Sequence, residues 1–257
     1  MEGFTLIAWS SSAAGINAAL TALPAVADPH VRVQGNDVIV PVDFKYLWGG
    51  YAVGPTLTRA QLSSPSLRRT FLPEIAPLDV GSALPASPRK ILLFDEGPIQ
   101  LDGAEALDAF ITNTASDRET VLAFLGPGTS KPDNRPYFTL RVTATPTAVA
   151  GQWTNGALTF DQTLPAGRYD IVGARFRSTN LIAFRFVFVS GTYRPGAIGY
   201  AAATSLDYDK FRAGNLGVWG NFAHNAPPTV DFLANAADAS FTGELDLVYT
   251  GAGGAAV

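Results

Sequence analysis

The chain has 257 residues, 47% of them apolar, with 18 basic and 22 acidic side chains and a formal net charge of −4. That balance excludes a strongly basic nucleic-acid binder, whose phosphate contacts need a cationic face. The absence of cysteine excludes disulfides, zinc thiolates and thiol catalysis. Charged residues make up 16%, against about 25% in an average soluble protein. Since a free monomer keeps surface charge for solubility, this shortage points to a surface partly covered by other subunits.

In chain order, Glu2 stands where a secretory signal needs basic residues, so no signal segment is expected. No run of about 18 apolar residues is available to span a bilayer. Residues 4–9 read as a strand. Residues 13–23 read as a short helix, with Ile16, Leu20 and Leu23 at helical spacing. Residues 37–45 alternate through Val38, Val40 and Val42 as a strand does, and 90–94 is a further strand. Asp102 followed by Glu105 forms a capping box, and Leu107, Phe110 and Ile111 give an apolar stripe, so a helix is expected from Gly103 to Ile111 or Thr112. Further strands are expected at 119–125, 137–143, 157–161, 169–176, 181–189, 216–222 and 244–249. In 181–189, Phe184, Phe186 and Phe188 share one face and Arg185 takes the other. A second short helix is expected at 206–212.

Many short strands divided by 25 glycines and 18 prolines indicate an all-β protein built as sandwiches or barrels. The segment 126–136 holds three prolines and two glycines and cannot lie inside a sheet. It divides the chain into two units, 1–126 and 137–257, with 127–136 as linker. A weak internal repeat agrees with that division. Residues 109–115 resemble 231–237, matching Phe110 with Phe232, Ile111 with Leu233 and Asn113 with Asn235. Residues 119–126 resemble 244–251 from Glu119 and Glu244 onward, and 46–50 resemble 169–173. Three blocks in one order, at nearly one offset, favour duplication over chance.

Catalytic constellations are nearly absent. The two histidines, His30 and His224, have no metal-ligand spacing, and neither a nucleophile elbow nor a phosphate-binding loop occurs. Asp95 and Glu96 are adjacent and would point to opposite faces of a strand, which suits no glycosidase pair. An enzyme is therefore not expected, nor a cofactor or metal. Arg59, Arg68 and Arg69 gather around a segment rich in Pro and Ser. Arginine forms bidentate pairs with carboxylates, which makes these three candidates for a subunit interface or a solvated loop. The aromatic stretch 216–222 with Pro227 and Pro228 reads as sandwich core or as a sugar-stacking surface.

Two consecutive sandwiches of low charge on a short linker resemble the double jelly-roll major capsid proteins of tailless icosahedral viruses, bacteriophages among them. The stretches 57–69 and 216–231 are similar to coat-protein segments, and the expected helix at 102–112 to the short helices placed between jelly-roll strands. The resemblance implies two consecutive jelly-roll β-sandwiches with short inserted helices, without the long tower loops of larger members. It implies a structural, non-enzymatic protein of the virion that forms a homotrimer of pseudo-hexameric outline and assembles into a capsid lattice. Vertex and minor capsid proteins and an internal membrane are the partners it implies, with no direct sequence-specific nucleic-acid binding. Two other classes fit the composition: a secreted tandem carbohydrate-binding β-sandwich, and a β-sandwich subunit of an extracellular filament.

Overall fold

The computed structural model describes residues 4–11, 15–70, 74–75, 79–80, 92–93, 97–129, 133–189, 191, 193–201 and 217–251. The architecture is all-β. In the first half, β1 (Thr5–Ser10), β5 (Tyr46–Gly54), β10 (Ile99–Gln100) and β12 (Thr120–Gly126) form one sheet in the order β1-β12-β5-β10; β8 (Asp79–Val80) and β9 (Leu92–Leu93) also pair with β5. A second sheet runs β3-β4-β11-β6-β7, from β3 (Val33–Gln34), β4 (Asp37–Ile39), β6 (Leu57–Ser63), β7 (Glu74–Ile75) and β11 (Ala106–Asn113). There β2 (Asn17–Ala22) also pairs with β11. One helical turn, α1 (Pro65–Thr70), follows β6, and a 3-10 turn occupies Val42–Phe44.

The second half repeats this order. Strands β13 (Phe138–Ala144), β16 (Arg168–Ser178), β20 (Gly220–Ala223) and β22 (Phe241–Gly251) give β13-β22-β16 with β20 on β16. The short β15 (Thr159–Phe160) and β19 (Tyr200–Ala201) flank that sheet. Strands β14 (Trp153–Ala157), β17 (Leu181–Val187), β18 (Gly196–Ile198) and β21 (Thr229–Ala234) give β14-β21-β17-β18. Among the described residues no ladder joins a strand of one half to a strand of the other.

Alternation assigns side chains to cores. On β12, Val121, Ala123 and Leu125 enter a cluster with Leu62, Leu107 and Ile111. Leu122 and Phe124 face the other way, into a cluster they share with Phe184, Phe232 and Leu247 of the second half. Both β1 and β12 are buried along their whole length. The first sheet is thus apolar on both faces, which explains why its strands read as nearly continuous hydrophobic runs.

The two helices expected at 13–23 and 103–112 are not formed. The strands β2 and β11 stand there instead and pair with each other. In β11 the buried positions are Leu107, Ala109, Ile111 and Asn113, a period of two. The stripe of Leu107, Phe110 and Ile111 combines residues from both faces of a strand. The capping box closes only in part. Glu105 Oε1 accepts from the Asp102 amide at 3.3 Å, but Ala104 takes φ 66°, which ends any right-handed helix there. The stretch 37–45 is a strand only as far as Ile39, because Pro41 opens the 3-10 turn. The helix expected at 206–212 and the acids Asp95 and Glu96 lie outside the described residues.

The repeated blocks do not superpose. The β5–β6 and β16–β17 connections each leave two residues between strands. Thr120 lies opposite Val53, just before the first connection, and Thr242 opposite Arg177, just before the second. Both ladders carry a bulge at the corresponding place, with Trp48 and Val172 as the extra residues. In this frame Glu244 corresponds to Leu122. Asn113 pairs with Leu57 and Ala234 with Leu181, so the Asn113/Asn235 match is one residue out. In a strand, a one-residue slip exchanges the faces.

Candidate functional site

The three arginines sit on regular elements. Arg59 lies on β6, and its Nε is 2.9 Å from Glu74 of β7 with both side chains about half exposed. Arg68 and Arg69 form the last turn of α1. Arg68 Nε donates to Ser63 Oγ at 2.9 Å, and Arg69 Nη2 meets Asp102 at 2.7 Å with both side chains 68% exposed. Exposed pairs of this kind contribute about 0–1 kcal/mol. Local pairing therefore leaves Arg59 and Arg69 facing solvent with little holding them. The turn beneath Arg68 and Arg69 is held firmly. Glu105 accepts from Ser64 Oγ at 2.9 Å, from the Ser66 amide at 3.0 Å and from Ser66 Oγ at 2.9 Å. Ser64 Oγ in turn accepts from the Leu67 amide at 3.2 Å, an N-cap bond. The acid that reads as a cap for its own segment caps a helix 39 residues earlier.

A second constellation, at the contact between the halves, is invisible to local sequence patterns. Arg185 of β17 is 1% exposed and pairs with Asp28 of the first half and with Asp231 of β21, the latter at 3.1 Å. Its Nη1 also donates to the Leu6 carbonyl of β1 at 3.1 Å, and its guanidinium carbon lies 4.1 Å from the Trp153 ring centroid. A buried guanidinium needs this many partners, because its desolvation is offset only by good geometry and further hydrogen bonds. Asn155 Nδ2 donates to the other oxygen of Asp231 at 2.8 Å.

Next to it, Arg194 is 4% exposed. Its carbonyl accepts from the Leu6 amide at 2.9 Å and its amide donates to Thr5 Oγ1 at 2.7 Å. Its Nη2 lies 2.5 and 2.7 Å from the two ring nitrogens of His30. Burial, and then the Arg194 charge, hold the His30 imidazole below its ordinary value. The alternation of 181–187 hinted at a special Arg185, as the single charge in a strand of large apolar residues. Asp28 carried no such signal.

Two carboxyl groups of the first half are pushed up by burial. Glu119 is fully buried; Oε1 accepts from Thr56 Oγ1 at 2.8 Å, while Oε2 has no hydrogen-bond partner among the described residues, and burial pushes its carboxyl up. Asp108 of β11 is pushed up to about 6 by burial and by its hydrogen bond with Asp37. His224 Nδ1 accepts from the Gly167 amide at 3.3 Å. Trp219 and Phe222 are buried in the second-half core, so these rings present no stacking face to a sugar. Among the described residues no group of three or more His, Cys, Asp or Glu is placed to hold a metal ion, and no helix is long and apolar enough to cross a membrane.

No family model and no curated protein matches this chain. One solved structure does. It is a xanthan lyase from Paenibacillus, 12% identical, aligned over 94% of this chain with a TM-score of 0.25. The chain spans 27% of the lyase's length. A likeness so loose assigns neither fold nor activity.

Proposed function

We propose that this chain is a major capsid protein of a tailless icosahedral virus, with residues 1–126 and 137–257 as two jelly-roll sandwiches. The observation that carries the reading is the strand order. Let the eight principal strands of each half be numbered in sequence, β1, β2, β5, β6, β7, β10, β11, β12 and β13, β14, β16, β17, β18, β20, β21, β22. In both halves one sheet then brings together the first, eighth, third and sixth strands, and the other the second, seventh, fourth and fifth. That order supports reading each half as an eight-stranded, double-Greek-key jelly roll, a device of viral coat and lectin domains. Low charge and exposed arginines on a capped turn support burial against further copies, and the homotrimer is the assembly this reading carries. An obligate interface of that kind buries about 2,000 Å² or more.

The deciding experiment is sedimentation of the purified chain, followed by electron microscopy of its assemblies. Trimers and closed shells are expected. A stable 27.1 kDa monomer across micromolar concentrations, or open filaments, would overturn the proposal. Specific retention of the monomer on a polysaccharide panel would favour the carbohydrate-binding class.

A further inference from the structure

We propose that His30 is an acid-responsive latch that holds the 28–30 segment and strand β1 of the first half against the second half. The argument begins with donors and acceptors. A guanidinium has five N–H donors and no acceptor, so Arg194 can bond to His30 only through a ring nitrogen that keeps its lone pair. Neutral imidazole offers one such nitrogen, so only one of the 2.5 and 2.7 Å contacts is a hydrogen bond; imidazolium has donors at both nitrogens, which removes that bond and sets a second cation against Arg194.

The neighbouring carboxylates are already paired. The charged groups facing His30 are Arg194 on the segment leading into β18, Arg185 on β17, Asp28 on its own segment and Asp231 on β21. Both aspartates are already engaged by Arg185. Two cations and two anions balance, and a proton on His30 adds a third cation. His30 as a residue is exposed, so solvent protons reach it.

The residue His30 contacts also ties the halves together by main chain. Arg194 exchanges hydrogen bonds with Thr5 and Leu6 on the edge of β1 away from β12. Displacing its side chain therefore bears on both. The sign follows from a depressed folded-state value. The stabilising contact is complete above the ordinary histidine value of 6.5 and is lost as pH falls below it. The proposal is independent of the capsid reading, since it concerns contacts within one chain.

The test is hydrogen exchange, corrected for intrinsic rates, over residues 4–8 and 193–198 at pH 7.5 and 5.5. Wild-type protection there should fall on acidification by more than the scatter between replicate exchange curves. His30→Gln keeps an acceptor at every pH and should abolish most of that fall. His30→Lys should show the loosened seam already at pH 7.5. Equal losses in wild type and His30→Gln, or no loss in wild type, would overturn the latch. Asp108, pushed up to about 6, lies on the other sheet of the first half, so the local readout separates the two. Should the variants fail to fold, the wild-type ring titration decides. The chain has two histidines, and a His30 resonance titrating at or above 6.5 overturns the proposal.

Discussion

Glu119 and Gly54 form a pair that neither residue type announces. A Cβ on Gly54 would lie 1.3 Å from Glu119 Oε2, so only glycine leaves room for the buried carboxyl. Gly54→Ala should destabilise the protein by about 1–3 kcal/mol, the range for forced overpacking, measured by urea unfolding. An acid whose folded-state value is raised stabilises the fold below its unfolded value and loses that contribution as pH rises through the folded one. Glu119→Gln should accordingly be more stable than wild type at pH 7–8, with the difference vanishing toward pH 4. The same sign applies to Asp108, where folding stability tied to the proton is lost as pH rises through about 6. Asp108→Asn, which keeps a donor toward Asp37, should gain roughly 1–2 kcal/mol at pH 8 after allowance for partial exposure. An unchanged difference from pH 5 to pH 8 would contradict it.

At the scale of elements, period decided what the sequence could reveal. Strands 119–125, 137–143, 169–176, 181–189 and 244–249 all appear, with ends shifted by a few residues or less, because each carries a long apolar or alternating run. β2 and β11 carry local signals for helix and strand alike. Leu107, Ala109 and Ile111 fit a period of two while Leu107, Phe110 and Ile111 fit a helix, and pairing with β6 settles the choice. Similarly, the cap of α1 depends on Glu105, distant in sequence. Short helices are not stable alone, so Glu105→Ala should cost about 1.5–3 kcal/mol, the range for hydrogen bonds to a charged group, and loosen the turn bearing Arg68 and Arg69. A loss below about 0.5 kcal/mol would show that α1 holds without it. By contrast, Arg68→Ala with Arg69→Ala should leave the urea midpoint nearly unchanged, since Arg69 pairs in solvent. The capsid proposal requires the same double variant to lower trimer or particle yield, which sedimentation reads directly.

Over the whole molecule, the strand order repeats while the surfaces diverge. Leu122 and Phe124 face the second-half cluster; at the corresponding places on β22, Glu244 bonds Arg175 and Asp246 accepts from Thr139 at 2.6 Å. This asymmetry hid the register from sequence comparison: matching letters such as Glu119 and Glu244 fall on non-equivalent sites. Arg185→Ala should destabilise by about 3–5 kcal/mol, because it strands Asp28 and Asp231 in a buried seam. Urea unfolding monitored by tryptophan fluorescence would register the loss. A fragment of residues 1–136 should self-associate, with its outward β1–β12–β5 face uncovered, and light scattering would detect it; a monodisperse, folded fragment would contradict the shared core.

The double-faced first sheet also sets a timetable for synthesis. Phe4, Leu6, Ala8, Leu122 and Phe124 leave the ribosome well before the residues that cover them. At about 5–20 residues per second, the remaining half takes roughly 6–24 s to translate. Throughout that interval nascent chains on neighbouring ribosomes display the same sticky surface. Slowing elongation over residues 137–257 should therefore lower the soluble yield, whereas slowing it within the first half should not.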